Sequence, residues 1–152
     1  MNSARRILLQ RASLLAAGLA AGLLRPLASL AAWNKDAFGA KASADALKAL
    51  GATGAAPSAG IAIEAPDIAE NGAVVPIEVS SNLPGTTAIA VLVEKNPYPL
   101  AGKFNFTEGA LPYVKLNVKL GETSEVRVIA WAGGKTFAAS KEVKVTIGGC
   151  GG

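Results

Sequence analysis

The chain has 152 residues, a length suited to one domain, and its 51% hydrophobic and 17% charged residues exclude a disordered chain. It holds no histidine and one cysteine, which excludes Cys-His dyads, Ser-His-Asp triads and the usual zinc ligand sets. The formal charge of +4 points to nucleic acid only until the charges are located. Arg5, Arg6, Arg11 and Arg25 all precede the first acid, Asp36, and without those four the chain carries 11 Lys and Arg against 11 Asp and Glu. That balance leaves no basic footprint for nucleic acid.

Residues 1–32, MNSARRILLQRASLLAAGLAAGLLRPLASLAA, read as a signal peptide. A basic start precedes an apolar run from Ala12 to Leu24, and Ser29-Leu30-Ala31 offers a small-x-small cleavage site. The apolar run is shorter than the ~20 residues that cross a bilayer, so no stable membrane anchor is expected. Arg5-Arg6 is a twin-arginine pair, although Ala4, Leu8 and Gln10 depart from the usual surrounding motif. The pair favours twin-arginine export of folded protein over the general secretory route, and either route predicts a bacterial periplasm.

Residues 33–50 predict a helical segment, with Trp33, Ala37, Ala40, Ala44, Leu47 and Leu50 recurring at helical spacing. Gly39 is a point at which the helix splits, Ser43 a cap for the second piece and Gly51 a stop. GATGAAPSAG, residues 51–60, reads as a linker. Strands are predicted over 61–65, 73–79, 87–94, 103–106, 113–120, 125–132, 136–140 and 141–147. Residues 87–94, TAIAVLVE, are nearly continuously apolar, as in a buried central strand, whereas 113–120 alternates with Val114, Leu116, Val118 and Leu120 on one face. Pro76 implies a bulge or an edge position, and Gly133-Gly134 a hairpin. Glu70-Asn71-Gly72, Leu83-Pro84-Gly85 and Gly121 mark further turns. This spacing predicts a mostly β chain, an immunoglobulin-like antiparallel β-sandwich over 61–147 with a short N-terminal helical segment.

No phosphate-binding glycine loop is present, and carboxylates fall singly along predicted strands, so the chain is not read as an enzyme. What stands out is the last segment, VKVTIGGCGG. Cys150 is flanked by Gly148, Gly149, Gly151 and Gly152. Three readings compete: a stray thiol on a frayed end, an intermolecular disulfide, and a thiol placed to carry something. The glycines favour the third. They add no bulk beside the sulfur, and Gly148, Gly149 and Cys150 extended reach about 10 Å beyond Ile147. Ordering four glycines costs on the order of 4–8 kcal/mol, which favours brief visits over a permanent interface. A solvated thiol ionises near pH 8.5, and Lys141 and Lys144 on the last strand are at most minor help, so activation must come from the receiving enzyme.

A twin-arginine-type leader, a short helical start, a sandwich and Gly-Gly-Cys-Gly-Gly together resemble the SoxY family, the sulfur-carrier subunits of the bacterial thiosulfate-oxidising Sox system. APDIAENGAVVPIEV (65–79), VEKNPYPL (93–100) and KEVKVTIGGCGG (141–152) strengthen the likeness, which covers essentially the whole chain after the leader. The resemblance implies a heterodimer with SoxZ, a leaderless second sandwich protein exported with it. It implies a haem-containing enzyme that couples thiosulfate to Cys150, a thiosulfohydrolase that releases sulfate, and, where present, a sulfane dehydrogenase. Gly148, Gly149, Gly151 and Gly152 would form the swinging arm. No cofactor is implied beyond sulfur held covalently on Cys150. Residues 65–79 and 93–100 stand either for part of the SoxZ face or for plain strand and turn structure. Two rivals remain: a ubiquitin-like carrier activated as a thiocarboxylate at Gly151-Gly152, and a disulfide-linked structural module.

Overall fold

The computed structural model describes residues 33–146. The expected leader with Arg5 and Arg6, and the segment Ile147, Gly148, Gly149, Cys150, Gly151, Gly152, lie outside the described residues.

Two short helices open the described chain, α1 (Lys35–Gly39) and α2 (Ser43–Ala49). The split falls at Gly39, as the sequence predicts. Ser43 is not the cap: Ala42 holds that position, and Ser43 is the first helical residue. Asn34 supplies a cap the sequence reading missed. Its side-chain oxygen accepts the Ala37 amide at 3.0 Å, and its amide donates to the Ala49 carbonyl at 2.8 Å, joining the start of α1 to the end of α2. The extended backbone at Ala40 and Ala42 rotates α2 out of phase with α1. Ala46 and Leu47 are therefore buried, and Ala44 is exposed. Gly51 ends α2 at φ +68°, while the amides of Gly51 and Ala52 donate to Lys48 and Leu47 at 3.0 and 2.8 Å, closing a Schellman motif.

Among the described residues nine strands follow: β1 (Ala56–Pro57), β2 (Ile61–Glu64), β3 (Ile68–Ala69), β4 (Val75–Ser81), β5 (Thr86–Val93), β6 (Leu100–Asn105), β7 (Tyr113–Val118), β8 (Ser124–Ala132) and β9 (Lys135–Val145). They form two sheets, β1-β9-β8-β5-β6 with β3 also on β9, and β2-β4-β7. The β-sandwich expectation holds, with one addition: β1 and β3 both run parallel to β9, along the margin left free by β8. Residues 51–60 are thus no free linker. Ala52 is buried, β1 pairs Ala56 with Phe137 and Pro57 with Ala138, and Ser58 donates to the Ala138 carbonyl at 3.0 Å. Backbone pairing needs no side-chain bulk, so a small-residue stretch carries no sequence signal for it.

The two strands predicted over 136–147 are one continuous strand, β9, because Ser140-Lys141-Glu142 is polar without being a turn. Gly133 and Gly134, at φ +55° and +73°, form the two-residue hairpin between β8 and β9 that demands positive φ at both positions. Pro76 sits past the end of β2, whose partners on β4 are residues 78–81, so its missing amide costs that ladder nothing.

Between the sheets, Ile77 and Val79 of β4 and Val114 and Val118 of β7 meet Ile89, Val91 and Val93 of β5, Val126 and Val128 of β8 and Val143 of β9. A second core lies on the opposite face of the larger sheet, where Ala37, Ala46, Leu47 and Leu50 cover Ala90, Leu92, Leu100 and Ile129. Strand β5 is consequently buried on both faces, which is why its sequence is continuously apolar rather than alternating. Among the described residues no helix is long and apolar enough to cross a membrane.

Candidate functional site

The predicted arm follows β9, so what the described residues show is its base. Strand β9 is held on both sides to its last residues. On one side β3 runs parallel to it: the Lys144 amide donates to Asp67 O at 3.0 Å and the Thr146 amide to Ala69 O at 3.3 Å. On the other, the last β8 pairing is Ser124 with Val143, and two residues further on Val145 donates instead to the Thr123 hydroxyl at 3.0 Å. Val143 is fully buried and Val145 packs half-buried against the main core.

Lys141 reinforces this base. Its ammonium donates to the Ala65 carbonyl at 2.6 Å and lies 3.0 Å from an Asp67 carboxylate oxygen. Lys141 is thus a clip between β9 and the chain just ahead of β3. Lys144 is exposed.

Gly72 closes the same end. Its carbonyl accepts the Leu120 amide at 2.7 Å, and a Cβ there would stand 2.4 Å from Leu120 O and 2.9 Å from Val145 Cγ1. The loop 94–99 docks on the neighbouring turn: the Lys95 amide donates to Ser124 Oγ at 3.1 Å and Asn96 Nδ2 to Lys119 O at 2.7 Å. Sequence reasoning read Asn71-Gly72 only as a turn and did not single out Thr123, Asp67 or Ala69. The close approach at Gly72 and the reach of the Thr123 hydroxyl both involve chain distant in sequence, so no local pattern announces them.

On the outer face of the smaller sheet, Glu78 accepts hydrogen bonds from Lys115 Nζ at 2.6 Å and from the Tyr113 hydroxyl. These bonds, Lys115 first, hold the Glu78 carboxyl below its ordinary value of 4.5 and push the Tyr113 phenol and the Lys115 ammonium up. A depressed carboxylate favours the fold above its unfolded pKa, and that contribution fades as pH falls through the folded value. Because the cluster is exposed, the expected effect is on titration rather than stability. In an NMR pH titration Glu78 should titrate below pH 4.5, and Lys115→Met should move it upward. An unmoved titration in the variant would refute the assignment.

A model of the family "Sulfur oxidation protein SoxY" matches residues 47–150, over half of the chain. The chain belongs to the SoxY family. Among solved structures, the sulfur carrier protein SoxY from Chlorobium limicola f thiosulfatophilum superposes with a TM-score of 0.64 at 36% identity, covering 75% of this chain and all of that one. The superoxide reductase (neelaredoxin) from Ignicoccus hospitalis reaches a TM-score of 0.51 at 23% identity over 57% of this chain and 80% of its own, a likeness of fold alone. Comparison with curated protein sequences returns no match. The SoxY-matched span runs from within α2 through β9 to Cys150 itself. Of the two internal segments that resemble SoxY, 65–79 supplies β3, Gly72 and most of β4, and 93–100 supplies the docked loop between β5 and β6. Both build the end of the sandwich from which β9 leads toward Cys150.

Proposed function

We propose that this SoxY-family chain is a periplasmic carrier that holds thiosulfate-derived sulfur covalently on Cys150 and presents it to separate enzymes. The observation that carries the reading is the family match, which extends to the only cysteine in the chain and does so beyond a strand anchored as far as Thr146. Support also comes from the 36% identity to a protein described as a sulfur carrier.

The chemistry follows from a thiol on a glycine tether. Four residues past Thr146, Cys150 lies within about 14 Å of it by covalent geometry. The thiol sulfur forms an S–S bond with the outer sulfur of thiosulfate. One proton leaves, and two electrons pass to a haem-containing partner. Water then attacks the sulfonate sulfur in a thiosulfohydrolase, the S–S bond to that sulfur breaks, sulfate departs, and a persulfide stays on Cys150. A sulfane dehydrogenase, where present, takes six electrons from that remaining sulfur while water supplies its three oxygens and the protons leave, and the resulting sulfonate undergoes a second hydrolysis that releases sulfate and returns the thiol. The chain supplies the nucleophile and the tether, while acid–base groups come from the partners. Gly148, Gly149, Gly151 and Gly152 keep the sulfur free of neighbouring bulk. A SoxZ-like subunit completes the carrier as a heterodimer, and the leader with Arg5 and Arg6 exports the folded pair.

Intact-mass spectrometry of the periplasmic protein from thiosulfate-grown cells tests this. The expected result is adducts of thiosulfonate and persulfide composition that a reductant removes. A single unmodified mass during turnover refutes the reading, and a stable covalent dimer without other adducts would favour the disulfide-linked module.

A further inference from the structure

We propose that Thr123 is a positioning residue for the carrier arm, fixing the point at which it leaves the fold; the functional consequence rests on the carrier reading, the structural one does not.

The argument starts from alternation in β9. The amides of Lys144 and Thr146 face β3, donating to Asp67 O and Ala69 O at 3.0 and 3.3 Å. The amide of Val145 must then face the other way, toward β8. Strand β8 has begun only at Ser124, which pairs with Val143, and the same register carried on would place Glu122 opposite Val145. No β8 rung reaches that point. The chain turns away at Gly121 and Glu122, and the Thr123 hydroxyl substitutes for the absent carbonyl, accepting the Val145 amide at 3.0 Å. A single side-chain oxygen therefore completes the last two-sided rung of β9. The opposite side is braced independently, since Lys141 fastens Ala65 and Asp67 ahead of β3.

This asymmetry gives Thr123 leverage over the arm. Loss of its hydroxyl leaves the backbone at Val145 and Thr146 hydrogen-bonded from the β3 side alone, and the tether gains backbone freedom that must be ordered again at each visit to an enzyme cleft. Ordering one more residue weakens productive docking by about tenfold. The chemical step inside the cleft is untouched, because the sulfur and its glycines are unchanged. The effect should therefore fall on KM for the carrier and spare kcat.

The test compares the full chain with Thr123→Val, which keeps the shape and removes the acceptor, and Thr123→Ser, which keeps the hydroxyl. Amide hydrogen exchange at Val145 reads the clamp directly, and the rate at which the haem-containing partner loads thiosulfate onto Cys150 reads its consequence. Thr123→Val is expected to speed exchange at Val145 at least tenfold and raise KM for the carrier about tenfold with kcat preserved, with Thr123→Ser restoring both. Unchanged exchange at Val145 overturns the clamp, and changed exchange with unchanged KM overturns its role in positioning. A wild-type chain that accepts no sulfur on Cys150 refutes the carrier reading and with it the proposed role in loading, whereas the exchange measurement still decides whether the clamp exists.

Discussion

Cys150→Ser is expected to reduce covalent sulfur loading to background while leaving the fold intact. Loading makes a sulfur–sulfur bond, and a serine oxygen cannot form its equivalent under the same conditions. The alcohol is also far less ionised than a thiol, of which a few per cent is thiolate at neutral pH. No other residue can substitute, since the chain has neither a second cysteine nor a histidine. Among the described residues strand β9 is anchored as far as Thr146 by bonds to β3 and Thr123, and none of those bonds involves residue 150. Intact-mass analysis after incubation with thiosulfate and the loading enzyme reads the result, and circular dichroism checks the fold. Loading retained in the serine variant would sink the cysteine carrier and favour activation at the Gly151-Gly152 carboxylate. Loss of loading together with loss of the circular dichroism signal would show that the residue serves the fold instead.

How far the sequence reveals this design depends on the range over which each signal acts. Strand β5 is legible because burial on both faces leaves an unbroken apolar run, and β7 because Val114 and Val118 face the core while Tyr113, Lys115 and Asn117 face solvent. The hairpin at Gly133-Gly134 is legible because two consecutive positive φ angles all but require glycine. Cys150 is legible as the candidate reactive residue because its glycine neighbours have no use in a packed element. Several of the failures share one cause. Residues 56–58 pair with β9 through backbone, Lys141 reaches a carbonyl 76 residues away, and Asn34 bridges two helix ends 15 residues apart. Thr123 looks like any turn residue until the end of β9 is placed beside it. Interactions made by backbone or by one polar atom across long sequence separations leave no periodicity to read.

Gly72→Ala is expected to destabilise the domain by about 2–4 kcal/mol, more than any other single-methyl addition at a described glycine. The cause is steric, since Gly72 does not adopt the left-handed conformation that would strain any larger residue. The new Cβ would sit 2.4 Å from Leu120 O, a backbone atom, and 2.9 Å from Val145 Cγ1. A flexible side chain could swing away from such a contact. The Leu120 carbonyl cannot, because the Leu120 side chain is fully buried and its amide is bonded to Gly72 O at 2.7 Å. Relief requires either pulling Leu120 out of the core or breaking that bond, and either route loosens the packing of Val145 at the base of the arm. Thermal unfolding should show a fall in melting temperature on the order of 10–20 °C. Gly54→Ala is the control, with no atom within 4 Å of its added Cβ and an expected change within about 0.5 kcal/mol. Equal melting temperatures for the two variants would mean that the 70–74 turn yields freely. The close approach at Gly72 would then contribute nothing to holding the end of β9.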